Sequence, residues 1–255
     1  MGKSLPVMTD RTWLILGASS PIARAFARLV AGQGARLILA GRDLDDLNRS
    51  AADLRLRGAS AVVVESFDAE DMASLDALAA SIPHHASPGG LDIFLAFGLM
   101  PDQKAMEADP ALALRCLTAS FTGAARLLLA LAPMLEAGRA GRVIVLGSVA
   151  GDRGRFSNYI YGSAKAGLAT FCSGLRARLF RSGVTLTFAK PGFLDTGMTW
   201  GLPGIFYAES PDRAAATLLR AALKGKEVLY VPGFWALIML IIRLVPEKIF
   251  KKLSI

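Results

Sequence analysis

LGASSPIARAF, residues 16–26, decides how this 255-residue chain is read. It closes the apolar run TWLIL (12–16) and opens a segment with helical periodicity. Gly17 suits the tight turn, Ser19 or Ser20 can cap the helix, and Pro21 falls at its first position, where a missing N–H costs little. From Ile22 onward, such a helix start offers free N–H groups and the positive end of the helix dipole, which together suit a phosphate. Only Gly17 remains of the three glycines of a G-x-G-x-x-G loop. Pro21 and Ala23 take the other two places, Ala23 adding one methyl where helix meets strand.

Working outward, RLILAG, AVVVES, LDIFLAFG, RVIVLGS, VTLTFAK and EVLYVP repeat the apolar run, with helical patterns between most of them. Runs apolar on consecutive residues must be covered on both faces, so the class is α/β: a doubly wound parallel sheet of about seven strands, a Rossmann fold. The chain reads as a single domain. Residues 11–198 form a dinucleotide-binding and catalytic core, 199–232 the substrate-side helices and last strand, and 233–255 an apolar and basic extension. PHHASPGG (83–90) reads as a loop whose two histidines are solvated, without neighbours at metal-ligand spacing.

Composition narrows the function classes. The formal charge is +8, but the basic residues are scattered and not striped with aromatics, which argues against nucleic acid as a partner. Cys116 and Cys172 lie in apolar helical patterns, which points to a reducing compartment. MGKSLPVMTD lacks the apolar core of a secretory signal, so a cytoplasmic location is expected, with peripheral contact on the inner face of the membrane open. Apolar content is high, 53% of residues with a mean hydropathy of +0.43, and part of the excess sits at the C-terminus.

The second strand ends LAGRD. A cofactor lacking the 2′-phosphate asks for a carboxylate there, but Gly41 holds that place and Arg42 follows, suited to a 2′-phosphate, so NADP is expected over NAD. Asp43 would cap the next helix. In YIYGSAK (159–165), Tyr161 and Lys165 share a helix face, and an ammonium beside a phenol lowers its pKa towards the working range. Tyr159 lacks this arrangement, since Ser163 stands four residues on. Ser148 ends the strand RVIVLGS, where ligands of such sheets bind. In KPGFLDTG, Pro191 and Gly192 turn the chain so that Leu194 and Thr196 can hydrogen-bond a carboxamide.

Gly17, Asp68, Ser148, Tyr161-x-x-x-Lys165 and Pro191-Gly192-x-x-x-Thr196, in this order, resemble the short-chain dehydrogenase/reductase family over about residues 11–198. The resemblance implies that Tyr161 is the general acid or base, that Lys165 lowers its pKa and holds the nicotinamide ribose, and that Ser148 positions the substrate carbonyl. It also implies that Asp68 meets the adenine amino group and Thr196 the nicotinamide amide. The chain departs from the family at Ala96-Phe97-Gly98, where Asn-Ala-Gly is usual, and at Ser120, where an asparagine holds a proton-relaying water; the expectation is that Ser120 sustains the relay through an extra water. The family usually assembles as dimers or tetramers through its long helices, here about 110–137 and 159–181.

At the C-terminus, Phe234 to Ile242 is an unbroken apolar stretch, about half of what a bilayer span needs. Arg243, Lys248, Lys251 and Lys252 follow, interspersed with Ile249, Phe250 and Leu253, a composition suited to a headgroup layer. The alternative is that the stretch packs on a sister subunit or caps the substrate pocket. With AFGLMPD (96–102), this tail is similar to that of reductases acting on a 2-keto sugar carried by a polyprenyl phosphate, which implies a lipid-linked carbonyl substrate. Two alternatives stand beside it: a reductase of small soluble ketones or acyl groups, and a nucleotide-binding scaffold with weakened catalysis.

Overall fold

The seven apolar runs become seven parallel strands: β1 (Thr12–Leu16), β2 (Arg36–Gly41), β3 (Ala61–Ser66), β4 (Leu91–Leu95), β5 (Gly141–Leu146), β6 (Val184–Pro191) and β7 (Val228–Val231). The structure is a computed structural model and describes residues 10–201 and 205–253. The start of the N-terminal stretch and the last two residues of the tail lie outside the described residues. Strand order is β3-β2-β1-β4-β5-β6-β7. Leu16 pairs with Ala40 of β2 on one side and Leu95 of β4 on the other, so the order reverses at β1. In open sheets of this kind, ligands bind beyond the carboxyl ends of the strands at such a reversal.

The helices are α1 (Pro21–Ala31), α2 (Leu44–Leu56), α3 (Met72–His85), α4 (Gln103–Ala108), α5 (Pro110–Leu117), α6 (Gly123–Gly138), α7 (Tyr159–Phe180), α8 (Pro211–Leu223), α9 (Trp235–Leu244) and α10 (Glu247–Phe250). One core layer joins the sheet to α1, α2 and α8, the other to α3, α6 and α7. With helices on both faces, all five residues of β1 and of β4 are buried. Phe26 of α1 stacks on Phe94 of β4, ring centroids 4.1 Å apart, which seats α1 over the switch point.

At the amino ends of the strands a buried carboxylate ties three segments together. Asp92 accepts from Arg11 Nε and Nη2, each at 2.7 Å, and from the backbone N–H of Arg142 at 2.7 Å.

Two local expectations change. Residues 83–85 are not loop: α3 runs through His85, whose Nε2 meets Glu65 Oε1 at 2.7 Å, so this histidine is bound to the edge strand and not simply solvated. The long helix expected from 110 is interrupted by a π turn over Thr118–Thr122. The whole helical stretch Pro110–Gly138 is long and apolar enough to cross a membrane, but half of its apolar window is buried inside the fold, as in a core helix.

Candidate active site

The carboxyl end of β5 and the first turns of α7 meet in one place. Ser148 follows β5 in extended conformation and caps a 3₁₀ turn, Val149–Asp152, by accepting from the N–H of Ala150 at 3.1 Å. That turn lies against α7 with no room for side chains between the backbones. A Cβ on Gly162 would stand 2.8 Å from the carbonyl of Ala150, and one on Gly151 would stand 2.8 Å from the backbone of Lys165 and Ala166. These two glycines, which the sequence reading did not single out, bring Ser148 onto the helix that carries Tyr161 and Lys165. Their spacing in the chain was visible; their partners were not.

Tyr161 and Lys165 do share an inner face, and both are buried. The Tyr161 hydroxyl hydrogen-bonds Ser148. Lys165 donates from Nζ to the carbonyl of Leu146 at 3.1 Å, and its ammonium lies 5.7 Å from the centroid of the Tyr161 ring. Tyr159 points elsewhere, donating to Glu107 Oε1 at 2.9 Å.

The electrostatics correct the expectation of a phenol made acidic by its neighbour. Burial raises the Tyr161 phenol above its ordinary value, the hydrogen bond from Ser148 opposing it only in part. Burial also lowers the Lys165 amine from 10.5 to about 8. Loss of hydration disfavours both charged forms and sets the direction of both shifts.

The residues read as cofactor contacts line the same edge of the sheet. Gly17 turns with φ +75° after β1, and Ser20, rather than the exposed Ser19, caps α1 through the N–H of Ala23 at 3.3 Å. Ile22 is in the first turn of α1, whose leading N–H groups have no intrahelical acceptor. Arg42 is exposed just past β2 and, among the described residues, forms no ion pair, while Asp43 caps α2 as expected. Asp68 lies beyond β3 and accepts from the N–H of Glu70 at 2.9 Å. Pro191 ends β6; Leu194 forms a bridge with Glu209, and the carbonyls of Leu194 and Thr196 both accept from the hydroxyl of Thr199. The Ile22 N–H at the positive end of α1 and the exposed Arg42 guanidinium at the next strand end are donors that fit the phosphates of a dinucleotide.

Ser120 sits on the π turn, fully buried, and its hydroxyl is used in both directions by one residue. It donates to the carbonyl of Leu99 and accepts from its N–H, each at 2.9 Å. Cys116 also donates to the Leu99 carbonyl, at 3.1 Å. Ser120 therefore clamps the segment after β4. Beside it, a Cβ on Gly98 would stand 3.3 Å from both Ser120 Oγ and Lys165 Nζ, so the Ala96-Phe97-Gly98 departure keeps the residue without a side chain where the lysine needs room.

The tail closes the far side. Trp235 of α9 lies so close on Gly192 that a Cβ there would stand 1.9 Å from Nε1, and it packs with Val149 and Met239 beside Phe193 and Tyr230. Among the described residues, the buried indole Nε1 has no hydrogen-bond partner.

Comparison with known proteins gives consistent results. Residues 11–203 match the family described as short chain dehydrogenase. An uncharacterized oxidoreductase of Mycobacterium tuberculosis is 39% identical over 242 residues, 94% of this chain and 96% of that protein. An uncharacterized oxidoreductase from the mprA 5′ region of Streptomyces coelicolor is 35% identical over 248 residues, 96% of each. Among solved structures, a short-chain dehydrogenase from Sphingobium yanoikuyae in complex with NADPH superposes with a TM-score of 0.78 at 26% identity, covering 92% of both chains.

Proposed function

The chain belongs to the short-chain dehydrogenase family and is an NAD(P)-dependent oxidoreductase of that type; from this premise we propose that it is an NADPH-dependent reductase of a ketone. The observation that carries the reading is the convergence of Ser148, Tyr161 and Lys165 at the carboxyl end of β5. Bound along the crevice, NADPH would supply the hydride. Tyr161 holds its proton tightly because it is buried, and it delivers that proton from Oη to the carbonyl oxygen as negative charge develops there. The Ser148 hydroxyl donates to the same oxygen and polarises it. Lys165, held by the Leu146 carbonyl, places positive charge next to the phenolate that remains.

Arg42 supports the preference for NADPH: it stands exposed and, among the described residues, without an ion pair, next to Gly41, which holds the place where an acid would otherwise select NADH. Gly17, Ser19, Ser20 and Ile22 would hold the pyrophosphate, Asp68 the adenine, and Pro191, Leu194 and Thr196 the nicotinamide amide. For the substrate, we favour a 2-keto sugar on a polyprenyl phosphate or a related lipid-linked carbonyl. Support comes from the apolar wall that α9 adds beside Gly192 and Phe193, and from the basic residues that follow it. The reading takes the chain as one domain assembling into a dimer or tetramer, supported by exposed Leu114, Leu129 and Phe180 on the long helices.

The test is NADPH oxidation with polyprenylphosphoryl ketosugar and with a panel of soluble ketones. Tyr161→Phe is expected to slow turnover by about 10²–10⁴-fold. Equal rates in variant and wild type would overturn the mechanism, and turnover of soluble ketones alone would overturn the substrate.

A further inference from the structure

Helix α9 is apolar on two opposed faces, and among the described residues only one of them is packed against the rest of the chain. Trp235, Ile238, Met239 and Ile242 face inward and pack with Val149, Phe193 and Tyr230. Phe234, Leu237, Ile241 and Leu244, again at helical spacing, face outward with 41, 62, 57 and 72% of their surface exposed. A helix on the surface of a globular protein shows one apolar stripe; one that is apolar nearly all round is covered by protein or lies in lipid. The outward surface continues into Phe206 and Tyr207, whose rings lie 6.0 and 5.7 Å from that of Phe234, and into exposed Ile249 and Leu253.

Charge identifies what covers it. Arg243, Lys248, Lys251 and Lys252 border the surface, and the only acid among residues 232–255 is Glu247. That carboxylate is already held by Arg153 at 2.9 Å, and among the described residues the three lysines form no ion pair. An apolar strip flanked by unpaired cations matches an acidic lipid surface, hydrocarbon under anionic headgroups. At ten residues, α9 is about 15 Å long, half of a bilayer's hydrocarbon core, so it can lie in the interface and cannot cross it.

We propose that the outward face of α9, with the start of the segment after it, docks on an anionic lipid bilayer, while the inward face of the same helix forms a wall of the crevice. The two are joined mechanically by Arg153, next in the chain to the 3₁₀ turn that Ser148 caps. Its guanidinium donates to the carbonyls of Ile242 and Val245, both at 2.6 Å, and lies 3.7 Å over the ring of Phe250. A docked α9 thus sets the crevice mouth at headgroup level. That the carbonyl substrate enters from the lipid rests on the reductase reading above; the docking itself does not.

The experiment is flotation of the full chain with vesicles of phosphatidylcholine alone and of phosphatidylcholine with phosphatidylglycerol. The chain should float with the anionic vesicles and release as salt is raised. Leu237→Ser/Leu244→Ser and, independently, Lys248→Glu/Lys251→Glu should each weaken binding by more than about tenfold. These side chains are exposed, so both variants should keep the wild-type melting temperature and the turnover of a water-soluble ketone without lipid. Absence of flotation, or flotation indifferent to both variants, overturns the proposal. So does a wild-type oligomer that Leu237→Ser/Leu244→Ser converts to a smaller species, because the face then belongs to a second copy. A chain that floats but reduces no ketone would refute the reductase reading and leave the docking standing.

Discussion

The two ends of the sheet bury ionisable groups in opposite ways. At the amino ends, Asp92 is fully buried and met by two arginines and a backbone N–H. At the carboxyl ends, among the described residues, Lys165 is buried with a single neutral carbonyl for its ammonium, and Tyr161 with a single hydroxyl. The first arrangement compensates lost hydration and locks strands together. The second leaves it uncompensated, so protons are held at displaced pKa values where a reaction can use them. Burial alone predicts neither stability nor chemistry; the partners decide.

The sharpest way to break this contrast is Asp92→Asn. Leaving Arg11 and Arg142 without their carboxylate should cost about 3 kcal/mol, measured by denaturant melts. The folded fraction should keep its turnover per site. A loss of turnover in fully folded protein would mean the two ends are coupled.

Lys165→Met should have the opposite character. The folded amine titrates at about 8 against 10.5 in the unfolded chain. Between those values the unfolded chain binds the proton and the folded one does not, so wild-type stability should rise with pH across that window, by up to about 3 kcal/mol in all. Tyr161, raised by burial, keeps its proton in the fold above pH 10 and reverses the slope there, so the informative range is pH 7 to 10. The methionine variant should lack the rise while losing catalysis. A parallel pH profile in both proteins would show that Lys165 is not the group whose charge is penalised.

Arg42→Ala probes the exposed part of the same edge. Losing a charge-assisted pair with a 2′-phosphate is worth about 1.5–3 kcal/mol, hence roughly 10- to 100-fold in KM for NADPH and little for NADH. Equal effects on both cofactors would move the 2′-phosphate away from Arg42.

How much of this contrast was legible before the fold was known follows from what each feature depends on. Runs of consecutive apolar residues announce strands, so TWLIL and its six counterparts mark the seven strands. Caps are local, so Asp43 was found, and Ser20 was one of two candidates. The spacing that separated Tyr161 from Tyr159 was equally local, and the structure turns Tyr159 to Glu107. Pro83 reads as a breaker, yet it sits inside the last turns of α3. What stayed hidden depends on distant partners. No residue in TASFT signals a π turn, nothing near Gly162 names Ala150, and the cost of burial on Tyr161 and Lys165 exists only once other elements cover them.

Ser120 tests the boundary between the two kinds of burial, because it lies at the reactive end but is satisfied like the structural end. Its hydroxyl both donates to and accepts from Leu99, so Ser120→Ala removes two hydrogen bonds from a half-buried backbone segment and should cost about 1–3 kcal/mol in a thermal melt. Asparagine offers a donor and an acceptor in one side chain, so Ser120→Asn can keep both senses of the clamp, and it is expected to retain or raise turnover with a smaller loss of stability. If the alanine variant melts like wild type but turns over slowly, the hydroxyl moves protons and the clamp is incidental. If both variants lose activity in step with stability, Ser120 serves to hold Leu99, and through it Gly98, against Lys165.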